Sequence, residues 1–190
     1  PMVLINFFGE IGKTYTLTVT YEGKTYTAQT TIVQPTSLVD TYWQPEADVT
    51  NYGFSWATLA DPPGQFDGYY WEVKRLNGTS SDGSYMPTYS PTFDDEFFDG
   101  LTFDFWYENP YGDTDIDSTR WRYELGDTVV IKLSKIDRNV FEFFEKKYNQ
   151  LQTAGNPFAT PTNIPNNIEG GALGIWAGFS PSYDTLICLP

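Results

Sequence analysis

The strict two-residue alternation from Thr14 to Tyr21 constrains the fold more than any other stretch. Thr14, Thr16, Thr18 and Thr20 fall on one side, and Tyr15, Leu17, Val19 and Tyr21 on the other. That period belongs to a half-buried strand, and threonine and aromatic residues suit a pleated surface. Glu22 and Gly23 supply a tight turn, and Lys24 to Val33 runs back as the partner strand. An isolated two-stranded hairpin is marginal in water, so this one has to complete a larger sheet.

Short strands and turns continue downstream. Pro35 ends the hairpin, and residues 34–40 read as a linker or crossover. Strands are expected at Gly53–Leu59, Tyr69–Leu76, Phe97–Tyr107, Arg120–Tyr123, Thr128–Ile136, Ala172–Phe179 and Thr185–Leu189. Turn residues separate them, among them Asp61-Pro62-Pro63-Gly64, Asn77-Gly78, Asp99-Gly100 and Gly126-Asp127. One helix interrupts the pattern near residues 138–153. Asp137 or Asn139 can cap it, Val140, Phe144, Tyr148 and Leu151 share a face, and Gly155 is a natural stop. The segment 156–169 has three prolines and four asparagines, which exclude regular structure, and glycines follow it at 170, 171, 174 and 178. The expected class is therefore mainly β: an antiparallel β-sandwich or barrel with one packed α-helix.

Composition then limits the chemistry. A chain of 190 residues buries roughly 70% of its unfolded surface and needs no disulfide to hold a core. Lone Cys188 lies in the apolar run Leu186–Leu189 and reads as a buried, inert thiol. There is no histidine, so Ser-His-Asp and Cys-His triads and the usual zinc sites are excluded. Eleven basic against 25 acidic residues give a net charge of −14, which disfavours nucleic acid and anionic membranes as partners. No apolar stretch approaches the length of a membrane-spanning helix. The chain opens at Pro1 in strand-like sequence, and an N-terminal part is expected ahead of it.

Three groups of residues are site candidates. Aromatic residues make up 18% of the chain, more than a core of this size demands, and alternation places about half of each strand-borne cluster outside. Core and cross-strand pairing is the simpler account. The functional one is a ligand platform or protein interface at Trp43, Trp106, Tyr107, Tyr111 and Trp121. Asp113, Asp115 and Asp117 alternate, and Glu124 falls at the twelfth position of an EF-hand-like calcium loop. Ser118 stands where that loop needs glycine, and a solvated acidic turn is the plainer reading. Asp94, Asp95, Glu96 and Asp99 could in principle serve acid–base hydrolysis beside Phe93, Phe97 and Phe98. A strand end with a turn accounts for them more simply. No cofactor other than that calcium ion is expected, and no enzymatic activity.

The run NPFATPTNIPNNIEGGALGIWAGF resembles the C-terminal signature of a family of Bacteroidota outer-membrane lipoproteins, the domain of unknown function 4249. The opening hairpin resembles that family's through Gly12, Tyr15, Leu17, Val19, Gly23, Tyr26, Ala28 and Thr30. Tyr69 and Tyr70, the acidic turn from Asp94 to Gly100 and the Gly126–Val129 turn follow in the family's order. The resemblance implies that residues 1–35 are the last strands of an N-terminal immunoglobulin-like or transthyretin-like sandwich, and that residues 36–190 are a β-rich C-terminal domain. It also implies an outer-membrane or cell-surface lipoprotein whose lipid anchor is not in this sequence. The expected function is nutrient capture, of a peptide or glycan, with a SusC-like TonB-dependent transporter. The alternative is a structural subunit of a larger outer-membrane protein assembly.

Overall fold

The structure is a computed structural model that describes residues 8–77, 84–111, 121–158, 160 and 162–190. The described chain is mainly β, with eleven strands in three open sheets and one helix. It divides into two compact units, one of residues 1–34 and 136–180, the other of residues 35–135 and 181–190. Residues 136–180 group with the opening hairpin and not with the strands that flank them in sequence.

In the first unit, β1 (Thr14–Tyr21) and β2 (Lys24–Thr31) pair antiparallel with Tyr21 opposite Lys24 and Thr14 opposite Thr31. Glu22 and Gly23 both take positive φ, 49° and 76°, as a two-residue turn between right-twisted strands requires. The third strand of this sheet is the short β10 (Ile168–Glu169), with Ile168 opposite Ala28. The helix α1 (Arg138–Thr153) starts where expected, because Asp137 Oδ1 accepts from Val140 N at 3.0 Å. Its other oxygen, Oδ2, accepts from Thr30 Oγ1 at 3.1 Å and Thr31 N at 3.4 Å. One carboxylate thus caps the helix and ties it to β2.

The expected strand at Ala172–Phe179 does not form. Asn167 holds that segment instead: its Nδ2 donates to the carbonyls of Gln29 (3.0 Å) and Trp176 (2.8 Å), and its Oδ1 accepts from Trp176 N. Asn166 likewise donates to the carbonyls of Ile168 and Ala172. These amides use the backbone groups a strand would pair, so the regular strand waits until β11 (Ser180–Ile187).

The second unit is a β-sandwich. One sheet has the order β3–β4–β7, formed by Leu38–Glu46, Val49–Ala60 and Thr102–Tyr107, with β8 (Tyr123–Glu124) also on β4. The other has the order β11–β9–β5–β6, where β9 is Thr128–Ile136, β5 Gly68–Arg75 and β6 Met86–Asp94. Strands β3 and β6 were not anticipated, since Pro45, Pro87 and Pro91 interrupt their patterns. The expected strand at Phe97–Tyr107 starts only at Thr102. Trp43, Ala57, Leu59, Tyr69, Trp71, Val73, Phe105, Tyr123, Val129, Ile131, Leu133 and Leu186 bury their side chains between the two sheets. Gly53 lies so close to β3 that a Cβ there would stand 2.1 Å from the Gln44 carbonyl oxygen. Cys188 is fully buried, and burial, with the charge of Asp127 adding, pushes its thiol up to about 12.

Replacing Asp137 by alanine removes the cap and the link to β2 together. The D137A variant is expected to lose about 1–2 kcal/mol of stability in urea unfolding. D137N, which keeps one acceptor oxygen, should lose clearly less.

Candidate functional site

The outer face of the β3–β4–β7 sheet follows from the alternation of β4. Gly53, Ser55, Ala57 and Leu59 are buried, and Tyr52, Phe54, Trp56 and Thr58 point the other way and remain part-exposed. Strand register extends that outer row sideways, because Tyr42 lies opposite Trp56, and Trp56 opposite Trp106. Tyr42 and Trp56 stack at 5.9 Å, Trp56 and Trp106 meet at 6.3 Å, and Phe54 and Trp106 at 4.4 Å. Cross-strand aromatic pairs stabilise a sheet in their own right. Here they also lay a continuous apolar strip across three strands.

At one end the strip opens into a groove of about 420 Å³ lined by Phe54, Tyr89, Trp106, Glu108, Trp121 and Arg122. Trp106 and Trp121 are each 46% exposed. The Arg122 guanidinium lies 5.3 Å above the Phe54 ring and grips Glu46 through two bonds, Nε to Oε2 at 2.5 Å and Nη2 to Oε1 at 2.8 Å. A bidentate fork of this kind fixes the plane of the guanidinium. The arginine's hydrogen bond holds the Glu46 carboxyl below its ordinary range. Burial pushes the Glu108 carboxyl upward. The Tyr42 hydroxyl is also raised, first by burial and then by Asp104 and Asp40. Asp104 accepts from Thr58 Oγ1 at 2.6 Å on the same outer face.

Of the aromatic residues singled out from the sequence, Trp106 and Trp121 line the groove. Trp43, expected to contribute to that platform, is instead a buried residue of β3, 7% exposed. Tyr107 points inward, stacked 5.0 Å from Trp71, with its hydroxyl raised by burial. Tyr111 packs half-buried under the Arg75 guanidinium at 5.4 Å, and its hydroxyl donates to the Ser84 carbonyl. Sequence reasoning missed Tyr42, Phe54, Trp56, Tyr89, Glu108 and Arg122. The period-2 aromatics Tyr52, Phe54 and Trp56 were a usable signal, but such a row is normally expected to face the core.

Of the proposed calcium loop, Asp113, Asp115 and Asp117 lie outside the described residues. Glu124 is an exposed residue of β8 opposite Tyr52. The second acidic group is divided: Asp94 ends β6, Asp95 is buried, and Glu96 and Asp99 are exposed in the turn that follows. Asp95 and Asp99 come together with Asp61, each offering a carboxylate oxygen within 4.8 Å of the others.

Together these features define a β-sandwich domain with an aromatic outer sheet face and an arginine-flanked groove. Residues 2–183 match the family described as Domain of unknown function (DUF4249), and the chain belongs to it. No curated protein and no solved structure matches the chain.

The Glu46–Arg122 pair makes part of the stability pH-dependent. A carboxyl held low in the folded state stabilises above its unfolded value of about 4.3 and loses that contribution as the pH falls through the folded value. E46Q should therefore unfold at lower urea than the natural chain at pH 7, with the two converging in acid.

Proposed function

We propose that this is a non-enzymatic binding domain whose aromatic strip captures a nutrient, best a glycan, on the outer face of the β3–β4–β7 sheet. The observation that carries this reading is the row Tyr42–Trp56–Trp106 with Phe54, which offers flat rings in succession across three strands. Exposed aromatic side chains give large contact area at small entropic cost, and sugar rings present C–H faces that lie flat on them. Asp104, Glu108 and Arg122 flank the strip with hydrogen-bonding groups for hydroxyls. A peptide with apolar side chains would use the same rings, but leaves these polar flanks less employed.

Binding fits the groove better than hydrolysis. Glycosidases need two carboxyl groups facing one bond, about 5–9.5 Å apart. Among the described residues lining this groove, Glu108 is the single acid, and Glu46 nearby is committed to Arg122. The net charge of −14 suits a neutral ligand over an anionic one.

The cellular setting rests on the family resemblance. We take the domain to be part of a lipoprotein at the outer membrane that hands its ligand to a SusC-like TonB-dependent transporter. No helix among the described residues is long and apolar enough to cross a membrane. In the alternative, the domain is a structural subunit and the strip is covered by a partner protein.

Glycan arrays followed by calorimetry test the reading. W106A is expected to weaken binding by about 30-fold, as loss of a central aromatic anchor does, while circular dichroism stays unchanged. Binding that survives W106A, W56A and their combination would discard the strip as the site. Copurification of the full-length protein with a transporter, lost in the same variants, would instead support the subunit alternative.

A further inference from the structure

Asp61, Asp95 and Asp99 gather at one end of the sandwich from three separate segments. Asp61 directly follows β4, Asp95 directly follows β6, and Asp99 sits in the turn leading to β7. Their carboxylate oxygens lie within 4.8 Å of one another. Two of these side chains are oriented by donors. Asp61 accepts from the Tyr69 hydroxyl at 2.6 Å and from Gly100 N at 3.0 Å, and Asp99 accepts from Gly64 N at 2.6 Å.

Asp95 is different. The residue is 5% exposed, and no donor or cation meets its carboxylate among the described residues. A carboxylate with so little access to solvent and neither donor nor counter-charge is a poor neighbour for two others. The buried lysine of this corner, Lys135, is committed to Asp67, with Nζ 2.6 Å from Oδ1. Asp67 is itself fully buried, its Oδ2 has no hydrogen-bond donor, and it feels the charges of Asp61 and Asp95. Among the described residues, the charges gathered in this corner are four aspartates and one lysine.

We propose that Asp61, Asp95 and Asp99 bind a calcium ion. The donors are all carboxylate oxygens, which suit a hard cation and lack the nitrogen or sulfur that zinc prefers. Calcium bonds to oxygen at about 2.4 Å, so two ligands on opposite sides of one ion stand about 4.8 Å apart. Magnesium needs a tighter octahedron, usually keeps several waters and rarely uses an all-protein cage. Asp99 is exposed and marks the way in, while Asp61 and Asp95 form the floor. Since β4 and β7 belong to one sheet and β6 to the other, the ion ties the two sheets together at this end. This site is separate from the Asp113–Glu124 loop and independent of the aromatic strip.

The test uses the chelator-treated chain, titrated with calcium and separately with magnesium by calorimetry, with thermal unfolding recorded alongside. Calcium is expected to bind and to raise the unfolding midpoint, since ligand at 100 times its dissociation constant favours the folded state about 100-fold. D95N, close to isosteric, should bind at least 10-fold more weakly and show no calcium-dependent rise. D99N, altered at the exposed mouth, provides the same comparison if D95N fails to fold. A D113N/D115N double variant should bind as the natural chain does. Terbium luminescence sensitised by Tyr69, whose hydroxyl bonds Asp61, should appear on the natural chain and be quenched by added calcium. The proposal is overturned if calcium up to millimolar concentration gives neither heat nor a midpoint shift. It is equally overturned if D95N and D99N bind unchanged, if binding is lost in D113N/D115N, or if magnesium binds as tightly as calcium.

Discussion

Trp71 is completely buried between the two sheets of the sandwich, edge-on to Phe105 at 4.9 Å and stacked on Tyr107 at 5.0 Å. With Tyr69 and Tyr123, also at 0% exposure, it brings most of the bulk to this interior. Close packing leaves a limited volume, and large side chains from one layer call for small ones opposite. Strand β4 answers with Gly53, Ser55 and Ala57. Alternation along the strand then leaves Phe54 and Trp56 no place but the outer face. A one-residue slip of β4 would drive both rings into a core already filled. The exposed aromatic strip is thus the other side of the packing around Trp71.

The unit formed by residues 1–34 and 136–180 relies on a different device. Its sheet is three strands wide, and few of its described residues are buried apart from Ala28, Thr30, Ile136, Val140, Phe141, Gly178 and Ser180. Polar side chains do much of the joining. Asp137 serves the helix and β2 at once, Thr30 Oγ1 accepts from Gly178 N at 2.7 Å, and Asn166 and Asn167 bind backbone on both sides of β10. Side-chain amides can occupy backbone groups in place of a ladder, which explains why a segment rich in asparagine and glycine is ordered without being a strand. The run NIPNNIEGGALG is therefore a structural clasp.

Charge placement in the sandwich follows from a shortage of bases. Lys135, Arg75 and Lys132 are all withdrawn from solvent to meet Asp67, Asp127 and Glu72. Pairing is what makes those buried charges tolerable. With eleven bases in the chain and several spent inside, the surface is left acidic, which repels anionic partners and suits neutral ligands or cations.

The sequence alone was enough to determine the mainly β class, the first hairpin with its Glu22–Gly23 turn, and helix α1 with its Asp137 cap. Each depends on neighbours in sequence: a period of two, a turn pair, a capping side chain followed by a helical stripe. The inert setting of Cys188 was legible for the same reason, from the apolar run around it. Strands β3 and β6 were hidden because prolines break their local pattern, and only pairing to β4 and β5 makes them strands. The face a strand turns inward was equally out of reach, since alternation says that two faces differ but not which one meets the core. That choice belongs to the volume around Trp71, so it buried Trp43 and Tyr107 and exposed Trp106. The meeting of Asp61 with Asp95 and Asp99 was decided in the same way, because it depends on where three strands end in space.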